Sequence, residues 1–327
     1  MLEGLSRRIA GEVSIAAFGV PMETFDPSVV DRVTELIDVR EVRAGQVLWS
    51  SGEVVDTLYF MNDGRVRAMR GGSPAWTFDG RWFLGGFEAH LDLPASHSLV
   101  ALSDFHAFTI RRGVWHGLLE DSSDLARLSV AESAAAVARL DARLPNERGP
   151  RIPSRARRGA GRPLTTVERI AFLAEVPIAC SVGVQALADL AAASDEVTIE
   201  DGGTLFEAGV PRDGFFVVVD GLVDAMRTTP DVFRTYGSGE VVTGAAALAN
   251  ESHHWTARAR GRARLIAIRF ETWLDMMEEH FDLVHSTIAV LAAERELMLD
   301  RVAAHAGPEG ITLTTESRFA IREGASP

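Results

Sequence analysis

The feature that most constrains this chain is an internal repeat. Ala44-Gly45-Gln46-Val47-Leu48-Trp49-Ser50-Ser51-Gly52 returns as Asp201-Gly202-Gly203-Thr204-Leu205-Phe206-Glu207-Ala208-Gly209, an offset of 157. The same offset lays Tyr59-Phe60 on Phe216-Val217 and Gly64-Arg65-Val66-Arg67-Ala68-Met69-Arg70 on Gly221-Leu222-Val223-Asp224-Ala225-Met226-Arg227, with five of those last seven residues identical. Ile110-Arg111 and Trp115 then recur as Ile268-Arg269 and Trp273 at an offset of 158, so the second copy gains one net residue in between. A register held this long implies two copies of one fold, and 327 residues suffice for two cores.

Each copy reads the same way. Short apolar runs such as Thr57-Leu58-Tyr59-Phe60-Met61 and Gly214-Phe215-Phe216-Val217-Val218-Val219 are bounded at short intervals by Gly and Asp, the pattern of brief strands joined by tight turns. Gly45, Gly52, Gly64, Gly202, Gly209 and Gly221 are expected to supply positive φ at those turns. A helical period follows, through Leu118, Leu125, Val130, Val137 and Leu140 in the first copy and Trp273, Met277, Val284, Ile288 and Leu291 in the second. Short helices precede the strands, over about Pro27 to Val39 and Val184 to Ala193. The expected fold class is mainly β with α: two β-roll, jelly-roll-like domains, each flanked by helices. The expected organisation is an N-terminal segment 1–26, a first domain 27–144, a linker 145–164, a second domain 165–306 and a C-terminal tail 307–327.

The order of short helix, Gly-x6-Gly turn, aromatic strand, Gly-x-Val strand, glycine-rich segment and closing helix resembles the cyclic-nucleotide-binding domain family, of the catabolite-activator and kinase-regulatory-subunit kind. Leu173-Ala174-Glu175-Val176-Pro177-Ile178 resembles the lead-in common to such domains. The resemblance implies a regulatory, non-enzymatic protein with a cyclic nucleotide as candidate ligand. It also implies where that ligand would sit: a Gly-Glu pair opens a short helix, and an Arg-Ser/Thr-Ala run follows. Helix N-H groups and the arginine meet the cyclic phosphate while the glutamate accepts from the ribose hydroxyl.

Neither copy carries that charged pair. In the first, the Glu position falls on Gly86 and the Arg position on Ala95, and Glu88 substitutes only if the loop shifts by two residues. In the second they fall on Ala245 and His253. Two readings stay open. A site persists with altered chemistry, in which Gly244, Ala245, Ala246, His253, His254 and Thr256 of the second copy, and Gly85, Gly86, Glu88, Ser96, His97 and Ser98 of the first, contact an anion. Otherwise the pockets are vestigial and the domains are ligand-independent interaction modules. His253 can carry partial positive charge near neutral pH, so the second copy is the better place for a ligand. His253-His254 is not expected to bind metal, because adjacent strand residues face opposite ways and no third ligand is evident.

The remaining sequence narrows the function further. There is no Gly-x-Ser-x-Gly, Gly-x4-Gly-Lys-Ser/Thr or His-Glu-x-x-His motif. No long apolar run or secretory signal is present, so a cytoplasmic protein with no membrane association is expected. A net charge of -13 disfavours nucleic acid as a partner. All 33 basic residues are Arg, and six of them lie with three Pro in Arg148–Pro163, the composition of a flexible linker. The residues after Pro308 are too few for a helix-turn-helix. A protein partner, still unidentified, is the expected route of output. Ile288, Leu291, Met298 and Val302 fit either a homodimer seam along the long helix or packing on their own roll. Cys180, among Val176, Ile178 and Ala179, is expected to be a buried thiol.

Overall fold

Helix α1 (Pro27–Leu36) buries Val30 and Val33 and leads into the first roll. The structure, a computed structural model, describes residues 27–91, 93–143, 162–210, 214–228, 231–242, 244–249, 254–305 and 310–314. The N-terminal segment 1–26, the linker up to 161, His253 and the tail beyond 314 lie outside the described residues. The chain divides into two compact units, Met1–Ser129 with Leu299–Pro327, and Val130–Met298.

In unit 1, eight strands follow α1: β1 (Asp38–Val42), β2 (Val47–Trp49), β3 (Thr57–Met61), β4 (Arg65–Arg70), β5 (Ser73–Asp79), β6 (Trp82–Leu84), β7 (Ser98–Ala101) and β8 (Phe105–Arg111). One sheet has the order β1-β8-β3-β6. The other is β5-β4-β7-β2, extended beyond β5 by a strand near the chain end, β15 (Ile311–Thr314). Leu58, Phe60, Met61, Trp76 and Leu99 fill the roll and are almost fully buried. Helices α2 (Arg112–Asp121) and α3 (Ser123–Arg143) follow, and α3 passes into unit 2 at Val130.

Unit 2 continues with α4 (Thr166–Leu173), α5 (Val184–Ala193), β9 (Asp195–Ile199), β10 (Thr204–Phe206), β11 (Gly214–Thr228), β12 (Asp231–Tyr236), β13 (Val241–Val242), α6 (Gly244–Leu248), β14 (Thr256–Arg269), α7 (Phe270–Glu279) and α8 (Phe281–His305). Its strands form a single sheet of order β10-β14-β11-β12, with β9 beside β14 and β13 beside β11. Thr165 caps α4 with a reciprocal Glu168 capping box. Arg162 grips the same Glu168 through two bonds of 2.8 and 2.6 Å, so the end of the linker is anchored.

The strand registers reproduce the repeat pair by pair. Thr57 opposite Arg111 becomes Gly214 opposite Arg269, Val66 opposite Ala101 becomes Val223 opposite Ala259, and Asp38 opposite Thr109 becomes Asp195 opposite Ala267. The extra residue lies in the turn after β4, since Ala68 faces Trp76 whereas Ala225 faces Arg234. All six turn glycines have positive φ, from 72° at Gly202 to 153° at Gly64.

Three features differ from the sequence reading. The single closing helix expected in each copy is two helices, broken at Ser122 (φ -137°, ψ 103°) and at the equivalent His280 (φ -133°, ψ 89°), where an extended residue interrupts an otherwise continuous apolar period. Cys180 is exposed, because Val176, Ile178 and Ala179 occupy the buried side of that turn-rich stretch and leave Cys180 facing out. Residues 311–314, assigned above to the C-terminal tail, form β15. Ile288, Leu291 and Met298 are buried within the chain, while the side chain of Val302 lies outside the described residues. No described helix is long and apolar enough to cross a membrane.

Candidate functional site

The first copy's cassette opens at Gly85, whose φ of 86° turns the chain out of β6. A Cβ on the next residue, Gly86, would sit 2.5 Å from the Phe83 ring. The helix that follows is a three-residue 3-10 turn, Glu88–His90, closed by Ala89 N-H donating to Gly85 O at 2.8 Å. Glu88 is buried and its Oε1 lies 3.6 Å from His97 Nε2. His97 is only 1% exposed, set between Trp49 (centroids 5.8 Å apart) and Trp76 (5.0 Å). Ser96 Oγ accepts from Arg70 Nη2 at 2.6 Å, and Ser98 Oγ accepts from the Ser51 N-H at 2.8 Å. The six candidates of this copy are thus gathered on one stretch of wall, but the centre of the roll beside them is occupied by His97 and two tryptophans.

In the second copy α6 supplies Gly244, Ala245 and Ala246, a five-residue helix following β13. Thr256 opens β14, and its Oγ1 accepts from the Ala208 N-H at 3.1 Å. His254 precedes β14 rather than lying in it and is exposed. Trp255 is buried, with Phe206 and Phe233 edge-on at 4.8 and 5.9 Å and Tyr236 stacked at 5.8 Å. By register His97 and Trp255 are equivalent, since Ser98 faces Met69 as Thr256 faces Met226. In the cassette alignment expected from the sequence both fall on the last position of the Arg-Ser/Thr-Ala run, a ring in place of a methyl group.

A cavity of about 90 Å³ remains in unit 2, lined by Ala245, Leu248, His254 and Trp255 from the cassette and by Asp141, Arg234, Tyr236, Glu240 and Glu294. Arg234 Nη1 lies 3.4 Å from Glu294 Oε1, and its guanidinium stacks 4.3 Å from the Tyr236 ring centre. Burial pushes the Glu294 carboxyl above the usual range; Arg234 opposes that and Asp141 adds to it. Burial raises the Tyr236 hydroxyl as well, again against the pull of Arg234. For Arg234 itself desolvation acts downward, but Tyr236, Glu294, Glu240 and Asp141 together outweigh it and hold the guanidinium above its ordinary value. The Arg234 guanidinium therefore keeps its charge among the acidic groups that line this cavity.

Sequence reasoning did not single out two further arginines that close these sites. Arg70 stacks over Trp76 at 5.2 Å and pairs with Asp300 of α8. Its repeat equivalent, Arg227, stacks over Phe233 at 4.7 Å, lies 3.5 Å from an Asp141 carboxylate oxygen of α3 and donates to the Asp141 carbonyl at 2.6 Å. The identity of Met69-Arg70 with Met226-Arg227 was the available signal; the aspartates, distant in sequence, carried none.

No curated protein sequence matches the chain. Among solved structures, similarity is found to the regulatory domain of Toxoplasma gondii PKA with cAMP (13% identity, 88% of this chain and 97% of that one, TM-score 0.33). It is also found to the regulatory subunit of a cAMP-independent protein kinase A from Trypanosoma brucei (15%, 79% and 84%, 0.32). A third is the N-terminal domain of a transcriptional regulator from Streptomyces coelicolor A3(2) (27%, 38% and 91%, 0.33). The family model of the cyclic nucleotide-binding domain matches residues 39–122 and 196–280, which are 84 and 85 residues and together 169 of 327. With both rolls matched over more than half its length, the chain belongs to the cyclic nucleotide-binding domain family.

Proposed function

We propose that this protein is a regulatory protein of binding rather than catalysis, whose two rolls act on a protein partner without taking a cyclic nucleotide. The observation that carries this reading is the pair of rings at equivalent positions: His97, 1% exposed between two tryptophans, and Trp255, 6% exposed among Phe206, Phe233 and Tyr236. Each occupies space that a ligand held by the cassette would need. Charge supports the same reading. Arg70 and Arg227 are paired to aspartates and Arg234 to Glu294, so the arginines beside these sites are already engaged by carboxylates that an anion would have to displace.

Titration calorimetry of the whole chain with cyclic AMP, cyclic GMP and cyclic dinucleotides tests the proposal. No saturable heat and an unchanged Tm are expected with all of them. A saturable isotherm with any one, accompanied by a rise in Tm, overturns it in favour of an anion sensor with altered chemistry.

A further inference from the structure

The roll closes without β15. In unit 2 the sheet ends at β12, the repeat equivalent of β5, and no described strand lies beyond it. In unit 1 a parallel strand is added outside β5, with Ile311 opposite Trp76, Thr312 opposite Thr77, Leu313 opposite Phe78 and Thr314 opposite Asp79. Thus β15 is an addition to the fold and not a part of it. Its attachment is slight. Four residues pair, the ladder is of the parallel and slightly weaker kind, Thr312 is exposed, and Leu313 is buried. The ordering entropy of so short a strand offsets much of what its hydrogen bonds contribute. Its seat is nevertheless specific. Gly310 enters at φ +70°, and a Cβ there would stand 2.4 Å from the Ala75 carbonyl oxygen, so only glycine allows the incoming backbone to come this close.

We infer that the outer edge of β5 is a strand-docking surface whose partner is a second copy of this chain, the two copies exchanging β15 so that each fills the other's edge. The second copy is the partner this edge selects because it presents the one segment already shown to fit, Gly310–Thr314, in a register set by Leu313 against Phe78. Exchange of an identical element creates no new contact to design and needs only that the cis strand be weakly held.

The experiment uses full-length chains, all carrying Cys180→Ser to remove the exposed native thiol. One variant adds Thr77→Cys, a second adds Thr312→Cys, and a third adds both. Under mild oxidation the doubly substituted chain should join positions 77 and 312 by a disulfide, within one chain or across an exchanged pair, which checks the register. Mixing the two singly substituted chains should yield at least tenfold more disulfide-linked dimer than either incubated alone, and Leu313→Asp on the Thr312→Cys chain should abolish that excess. Efficient closure within single chains with no excess dimer in the mixture overturns the inference, as does failure to form the 77–312 disulfide either within or between chains whose melting is otherwise normal. An excess that survives Leu313→Asp overturns it too, because a dimer formed that way does not use this edge.

Discussion

At one point the two rolls carry nearly the same sequence and do different things with it. In the first, Met61-Asn62-Asp63-Gly64 ends β3, and a new strand starts at Arg65; in the second, Val218-Val219-Asp220-Gly221 lies inside the single 15-residue strand β11, which bends there through register shifts around Asp220. The residue that differs in kind is Asn62, exposed, against Val219, fully buried. A β-branched side chain with a core to enter carries the strand through, while a polar one lets the chain turn out. The topology is indifferent to that choice, since the pairs on either side keep the same register. What the copies do not share is the filling of their sites: an imidazole between two indoles in one, an indole among phenyl rings beside an acidic cavity in the other.

The sharpest way to break this comparison is to empty both fillings. Trp255→Ala should cost about 3–5 kcal/mol, the range for deleting a large buried aromatic, because the surrounding rings cannot collapse onto the space. His97→Ala should cost less, about 1–3 kcal/mol, since it removes a smaller ring together with its polar contacts to Glu88 and Ser96. Urea unfolding followed by tryptophan fluorescence measures both. Equal losses would mean that His97 is as much a core residue as Trp255, and that the first site is no more open to change than the second.

A second contrast concerns the turn itself. Gly64 and Gly221 are equivalent, both with positive φ, but a Cβ at Gly221 would meet backbone, 2.5 Å from Arg262 O and 2.7 Å from Ala263 Cα, whereas at Gly64 it would meet the Phe105 ring at 2.8 Å. A ring can shift and a paired strand cannot. Gly221→Ala should therefore lose roughly 1–3 kcal/mol to backbone strain and about as much again to overpacking. Gly64→Ala, at φ 153°, should lose about the same to strain but less to overpacking, because the ring can give way. Thermal unfolding of the two variants decides; a larger loss at Gly64 would show that Phe105 is held more firmly than the strand.

These contrasts also mark what was legible before any coordinates. The repeat, the turn glycines, the short strands and both short helices were readable because each rests on local patterns: alternation, glycine at a turn, an apolar period. The helix breaks at Ser122 and His280 were not, because Leu118 and Leu125, or Met277 and Val284, keep the period on both sides of a residue that is no strong breaker. Strand β15 left a faint mark, Ile311 and Leu313 at alternate positions, too short to stand out from a tail. The cassette residues follow from spacing along the chain, but the ion pairs beside them, Arg70 with Asp300, Arg227 with Asp141, and Arg234 with Glu294, join strands to helices far away in sequence. Ion pairs of that range leave no periodicity to read.

The smallest effect sharpens the comparison within unit 2, where two glutamates are displaced in opposite directions. Glu168, held by Arg162 and by the Thr165 backbone and side chain, has its pKa lowered to about 2. Its native pKa lies below the unfolded one, so its contribution is present above the unfolded value and is lost as pH falls toward about 2. Glu294, desolvated, has a native pKa raised above the unfolded one. The folded chain then holds a proton that the unfolded chain releases, so its favourable contribution is present below the unfolded value and fades as pH rises through the native one. Urea midpoints measured from about pH 3 to pH 8 should accordingly show Glu168→Gln flattening the acid limb and Glu294→Gln flattening the decline above it. Glu168 is solvent-exposed and screened by salt, so its limb should shrink in high salt while that of Glu294, buried beside Arg234, persists. An upper limb unchanged by Glu294→Gln would mean that Arg234 holds that carboxylate ionised in the native state, and the second site would then be electrostatically as closed as the first.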